Sequence, residues 1–211
     1  MMDLRRWLDF LFPPRADEAV LRDVSTDEFL GLVSPILVSA TSPEAVALLP
    51  FSHASVRAAI HEAKYRGSER AFTFLAAALA DYLRDYDERS RKTILVPIPL
   101  GKERRRERGF NQVHEVTLRA LRSLDGEGAY RLVLDPNLLE RVRETVSQVS
   151  LPRHARKENM RGAFGAAHPA NPAYTYIVID DVLTTGATLQ SAADALAKAG
   201  ATHIIPLALA H

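Results

Sequence analysis

The chain has 211 residues, 47% hydrophobic and 25% charged, the balance of one globular domain or of a domain with a modest subdomain. It contains no cysteine, which excludes disulfide scaffolds, zinc ribbons, iron–sulfur clusters and cysteine nucleophiles; no zinc is expected. The net charge of +1 hides an asymmetry, because residues 91–161 carry 16 Lys/Arg against 9 Asp/Glu and the rest carry 11 against 17. A basic middle in a near-neutral chain fits an anionic ligand held by one region, or a set of solvated helix faces.

Leu4, Trp7, Leu8, Leu11 and Phe12 recur at helical spacing until Pro13-Pro14 ends the pattern. The start carries an acid and no small-residue cleavage site, so it makes a poor signal peptide. No apolar run approaches the roughly 18 residues of a membrane span. The expectation is a cytoplasmic protein with no membrane span. Acidic, proline-punctuated sequence runs to Pro50 with one apolar stretch, Val33 to Val38. Residues 1–46 read as an N-terminal appendage and 47–211 as the main domain.

Ala47 to Phe51 reads as a short strand. Ser55 is placed to cap a helix with Val56, Ala59, Ile60 and Ala63 on its apolar face, ending at Gly67. Ala71 to Tyr86 is a second helix. Thr93 to Val96 is a buried strand, Phe110 to Leu124 a helix, and Tyr130 to Leu134 a strand. Leu138 to Arg143 opens a helix or a loop, and Pro152 to Met160 is helical in part. Tyr174 to Ile179 is the strongest strand pattern; Thr188 to Ala199 is an amphipathic helix with Gly200 just past its end, and Thr202 to Ala210 is the last strand. Such alternation predicts an α/β fold, a mainly parallel sheet flanked by helices.

The chemistry concentrates in Ile177-Val178-Ile179-Asp180-Asp181-Val182-Leu183-Thr184-Thr185-Gly186-Ala187-Thr188. A strand ends in two acids, a hydroxyl-rich loop follows, and a helix begins. Gly186 permits a tight turn that aims backbone N–H groups at one point. Thr184, Thr185 and Thr188 add hydroxyls, and the helix N-terminus adds its dipole. Two carboxylates at the strand end can bind a vicinal diol or help hold Mg²⁺. A phosphate and a diol one sugar apart describe a ribose 5-phosphate group. Two plainer readings compete: an acidic pair of the phosphoacceptor-receiver kind, and an ordinary helix cap.

These twelve residues resemble the phosphoribosyl diphosphate (PRPP) signature of type I phosphoribosyltransferases. Ala63-Lys64-Tyr65-Arg66-Gly67, Val96-Pro97-Ile98-Pro99, Arg106-Glu107-Arg108-Gly109-Phe110-Asn111-Gln112 and Asn159-Met160-Arg161-Gly162-Ala163-Phe164 follow in the order seen in the ComF family. The resemblance covers roughly Ala47 to the C-terminus. It implies a phosphoribosyltransferase domain over 47–211, with competence or DNA uptake as the setting. ComF proteins typically carry a four-cysteine zinc finger after a start like Leu11-Phe12-Pro13-Pro14; here that position has no cysteine.

The resemblance also implies roles. Asp180 and Asp181 would be the catalytic pair and would hold Mg²⁺ through PRPP. Thr184, Thr185, Gly186, Ala187 and Thr188 would bind the 5-phosphate. Pro97, Ile98, Pro99 and Leu100, with Lys102, Arg104 and Arg105, would meet the pyrophosphate. Arg141, Arg143, Gln148, Arg156 and Asn159 would belong to a flexible hood. Lys64 and Arg66 are candidates for the same cleft. The implied partners are PRPP and a nitrogen acceptor, with room for a homodimer. The alternatives are a non-catalytic PRPP or nucleotide-phosphate sensor and a single-stranded DNA-binding module using the basic middle; nucleic acid is not favoured.

Overall fold

Thr93–Pro97 and Thr175–Val182 are rich in β-branched and apolar residues up to the acids, and they form adjacent interior strands of a six-stranded sheet. In the computed structural model, residues 16–86, 91–124, 131–143 and 158–211 are described. In chain order the strands are β1 (Ile36–Val38), β2 (Ala45–Leu49), β3 (Thr93–Pro97), β4 (Leu132–Leu134), β5 (Leu139–Arg141), β6 (Phe164–Ala166), β7 (Thr175–Val182) and β8 (His203–Ala210). The helices are α1 (Ala16–Arg22), α2 (Thr26–Leu30), α3 (Ala54–Arg66), α4 (Glu69–Asp85), α5 (Lys102–Arg108), α6 (Gln112–Arg122) and α7 (Ala187–Lys198). The main sheet has the order β1-β2-β8-β7-β3-β4, parallel except for β1 against β2. β5 and β6 form a separate antiparallel pair. The α/β reading with a mostly parallel, helix-flanked sheet therefore holds.

Alternation along β7 assigns each face of the sheet its own core. Ile177 and Ile179 join Val56, Phe74, Leu79 and Val116 from α3, α4 and α6. Tyr176 and Val178 join Leu189 and Leu196 of α7, with Leu139 and Phe164 of the β5–β6 pair. Between Ala16 and Glu44, the stretch read as an appendage, the chain puts Leu21 and Phe29 into the first core and adds β1 to the sheet. Phe29 stacks on Phe74 at 4.9 Å between ring centroids. Among the described residues no helix is long and apolar enough to cross a membrane.

Several elements differ from the sequence reading. His53, not Ser55, occupies the cap position of α3, because a turn that bonds His53 N to Pro50 O at 3.0 Å starts the helix early and buries Ser55 in its first turn. Leu138–Arg143, expected as helix or loop, contains a strand. Its partner β6 lies beyond residues 158–161, so no local pattern announces the pairing. The basic turn after β3 is a helix, α5, closed by Gly109 with φ 76°. Tyr130 and most of 152–160 lie outside the described residues.

Candidate functional site

β7 continues through the acids, pairing Asp180 with Ala208 and Val182 with Ala210 of β8. The two carboxylates therefore leave a rigid ladder on opposite faces of the sheet edge. Asp181 enters the α3/α6 layer. There Gln112 Nε2 donates to Asp181 Oδ2 at 2.8 Å and Lys64 Nζ lies 3.1 Å from the same oxygen, while Val182 N donates to Oδ1 at 2.8 Å. Asp180 takes the α7/β5 side, where its Oδ1 accepts from Asp181 N at 2.9 Å.

These surroundings push the pair apart electrostatically. Burial and the neighbouring Asp181 charge raise the Asp180 carboxyl to about 7, against weaker opposing pulls from its backbone hydrogen bond, Lys64 and Arg141. Burial acts in the same direction on Asp181, but Lys64 and the Gln112 hydrogen bond outweigh it and hold Asp181 below the usual carboxylate range. One acid is a fixed anion and the other titrates near neutrality.

After β7 the chain turns through 183–186 into α7. Gly186 sits at φ 74°, and a Cβ there would lie 2.5 Å from Ala40 O and 2.9 Å from Thr41 Cγ2. Glycine is required twice over, by the left-handed turn and by the close approach of the 39–43 segment. That segment is tied to α7: Ser42 N donates to Gln190 Oε1 at 2.6 Å, and Gln190 Nε2 donates to Ser42 O at 3.1 Å. Thr185 is buried and its Oγ1 accepts from Ala187 N at 3.4 Å, so it shapes the turn. Thr184, Gly186, Ala187 and Thr188 line a cavity of about 290 Å³ that also contains Asp180 and Asp181.

The opposite wall comes from β3, α3 and α5. Ile98 N bonds Ile179 O at 2.9 Å, and Asn111, the α6 cap, donates Nδ2 to Ile98 O at 2.9 Å; this pins the 98–100 turn at the cavity. Ile98, Pro99, Leu100, Arg104 and Arg141 line it; Pro97 is paired within β3, and Lys102 and Arg105 are not in the lining. The i, i+4 spacing of α5 turns Arg104 and Arg108 inward together. Arg143 donates to Asn159 O and Arg161 O, each at 2.8 Å, so it ties β5 to the 159–161 turn and neither it nor Asn159 lines the cavity. Gln148 and Arg156 lie outside the described residues. Of the Lys64/Arg66 pair only Lys64 reaches the site.

Sequence reasoning gave no role to Arg108 and Gln112. Arg108 Nη1 donates to Gln112 Oε1 at 3.1 Å and its guanidinium lies 5.2 Å from the Tyr65 ring centroid. Gln112 is 5% exposed, in the first turn of α6. A polar residue next to a cap is ordinary in sequence; only the buried position signals its task.

Among the described residues no cluster of three or more metal-ligating side chains exists. Three of the four carboxylate oxygens already accept hydrogen bonds or meet Lys64. The pair thus suits a divalent cation that arrives with most of its ligands on an anionic substrate.

No protein-family model matches the chain. Among curated proteins, it is 32% identical over 112 residues to competence protein F of Haemophilus influenzae, covering 52% of this chain and 46% of that protein. It is 31% identical over 153 residues to DNA utilization protein YhgH of Salmonella typhimurium (69% and 62%), and 34% identical over 107 residues to competence protein ComFC of Bacillus subtilis (51% and 39%). The matched regions span from about two fifths to three fifths of these relatives' own lengths.

Proposed function

The chain belongs to the ComF family, and on that premise we propose that it is a phosphoribosyltransferase. It would bind PRPP with Mg²⁺ and transfer the phosphoribosyl group to a nitrogen acceptor, releasing pyrophosphate. The observation that carries this reading is the acid pair at the end of β7 running directly into a left-handed glycine turn and the N-terminus of α7, inside one cavity. The sheet topology is compatible with a phosphoribosyltransferase-like fold.

In this reading the 184–188 turn holds the 5-phosphate, and Asp180 orients the ribose hydroxyls. Asp181, fixed by Lys64 and Gln112, lends negative potential beside the anomeric carbon as positive charge develops there. Arg104 and the 98–100 turn receive the diphosphate. The bond from the anomeric carbon to the diphosphate oxygen breaks, its electron pair leaves with pyrophosphate, and the acceptor nitrogen's lone pair forms the new bond. Mg²⁺ supplies charge neutralisation on the diphosphate. The rest is positioning. The relatives named for competence and DNA utilization suggest DNA uptake as the setting.

Calorimetric titration with PRPP–Mg²⁺, together with pyrophosphate release across a panel of nucleobases, tests the reading. Micromolar PRPP binding with base-dependent release is expected. PRPP binding no tighter than that of inorganic phosphate would overturn it. Binding without release for any nitrogen acceptor would favour the sensor alternative.

A further inference from the structure

Resting on that reading, we propose that Tyr65 and Arg108 form the acceptor subsite, and that it takes an anionic planar nitrogen heterocycle. Phosphate, ribose and diphosphate are matched by the 184–188 turn, the acid pair and the 98–100 turn with Arg104. The part of the wall left over includes Lys64, Tyr65 and Arg108, at the ends of α3 and α5. Among the described residues Tyr65 is the one aromatic side chain in the lining, and it is 60% exposed, which places it at the mouth. A flat ring at a cavity mouth favours another flat ring.

Arg108 specifies the charge. It is partly buried, with its guanidinium against the Tyr65 ring and one nitrogen on the neutral Gln112 carbonyl. Among the described residues no carboxylate lies within ion-pair distance of it, in contrast to Lys64 on Asp181. Burial already works against its charged form. A ligand oxygen bearing negative charge would give this cation a direct anionic partner, with the fork geometry that favours a carboxylate. The relay Arg108–Gln112–Asp181–Lys64 holds the subsite in register with the acid pair.

The test uses full-length protein saturated with ribose 5-phosphate, which cannot react, and titrates in matched rings: orotate against uracil, and nicotinate against nicotinamide. At least tenfold tighter binding of the carboxylated member is expected in at least one pair. Tyr65→Leu should weaken that ring about tenfold, on the scale of ring stacking, while Tyr65→Phe stays within twofold of wild type. Arg108→Gln should erase the preference within the pair. PRPP affinity of the Tyr65→Leu protein should stay within twofold. Equal binding within both pairs, absence of ring binding to a protein that binds PRPP, or a Tyr65→Leu loss confined to PRPP would each overturn the subsite. Failure of wild-type protein to bind PRPP would remove the underlying phosphoribosyltransferase reading as well.

Discussion

The turn 184–188 and the wall of Lys64, Arg104, Arg108 and Gln112 face each other across Asp180 and Asp181, and they are built on different length scales. The turn is one contiguous stretch whose geometry follows from neighbouring residues: a strand, a glycine in the left-handed region, a helix. The wall comes from the end of one helix, the inward edge of a seven-residue helix and the first turn of another. It is joined by side-chain bonds between residues up to 117 positions apart. A contiguous device tolerates little change at its pivot. A dispersed one spreads its loss over several partners.

The largest effect is expected at the pivot. Gly186→Ala forces a Cβ against Ala40 at a positive φ, and overpacking with left-handed strain together cost roughly 2–5 kcal/mol. Urea denaturation should show the loss and calorimetry should show no PRPP binding. Such a variant disturbs the 39–43 segment as well as the phosphate turn, so Thr184→Ala is the cleaner probe of phosphate contact. Unchanged stability in Gly186→Ala would mean that Ala40 yields easily and that the turn is less tightly held than its contacts imply.

Next comes the wall's ion pair. Lys64→Met leaves the Asp181 anion without its cation and should cost about 3 kcal/mol, whereas Gln112→Leu should cost ~1–2 kcal/mol. Combining Lys64→Met with Asp181→Asn should restore part of the loss. Strict additivity of the two changes would show that the pair does not act as a unit.

A smaller effect separates the two faces of α5. Arg104→Ala should weaken PRPP about tenfold, near 1.4 kcal/mol, while Lys102→Ala/Arg105→Ala should change it less than twofold, because of these three cations Arg104 alone lines the cavity. Equal losses would return the whole basic stretch to the diphosphate.

The smallest effect is pH-dependent. Asp180 has its carboxyl raised in the fold, so its contribution to stability is full below the ordinary carboxylate range and is lost as pH rises through about 7. Asp180→Asn, which mimics the neutral acid, should match wild-type melting near pH 4 and exceed it by a few degrees at pH 8. Asp181 runs the other way: its contribution is present above the ordinary range and lost as pH falls through its lowered value. A melting difference between the Asn variant and wild type that stays flat from pH 4 to 8 would remove the distinction between the acids.

Periodicity and local chemistry made much of the fold legible. β3, β7, β8, α4, α6 and α7 fall within a few residues of their sequence-read positions, because strongly apolar strands and amphipathic helices carry their burial pattern locally. β5 was not legible, because a three-residue strand exists only through a partner distant in sequence. Arg143 reads like Arg141 in sequence, yet only Arg141 lines the cavity and Arg143 clamps the 159–161 backbone. Charge alone cannot distinguish a ligand contact from a backbone tie.

By itself the sequence determined the alternation of strands and helices, the acid pair and the hydroxyl-rich glycine turn, since each depends on residues within one or two helical turns of one another. Tertiary structure alone decided that the acids differ. Strand alternation sends Asp181 to Lys64 and Gln112 and leaves Asp180 where burial keeps its proton until near neutrality. It also decided which of five clustered cations face the cavity. Desolvation and Coulomb energy depend on distances across the fold, and the order of residues along a chain does not contain them.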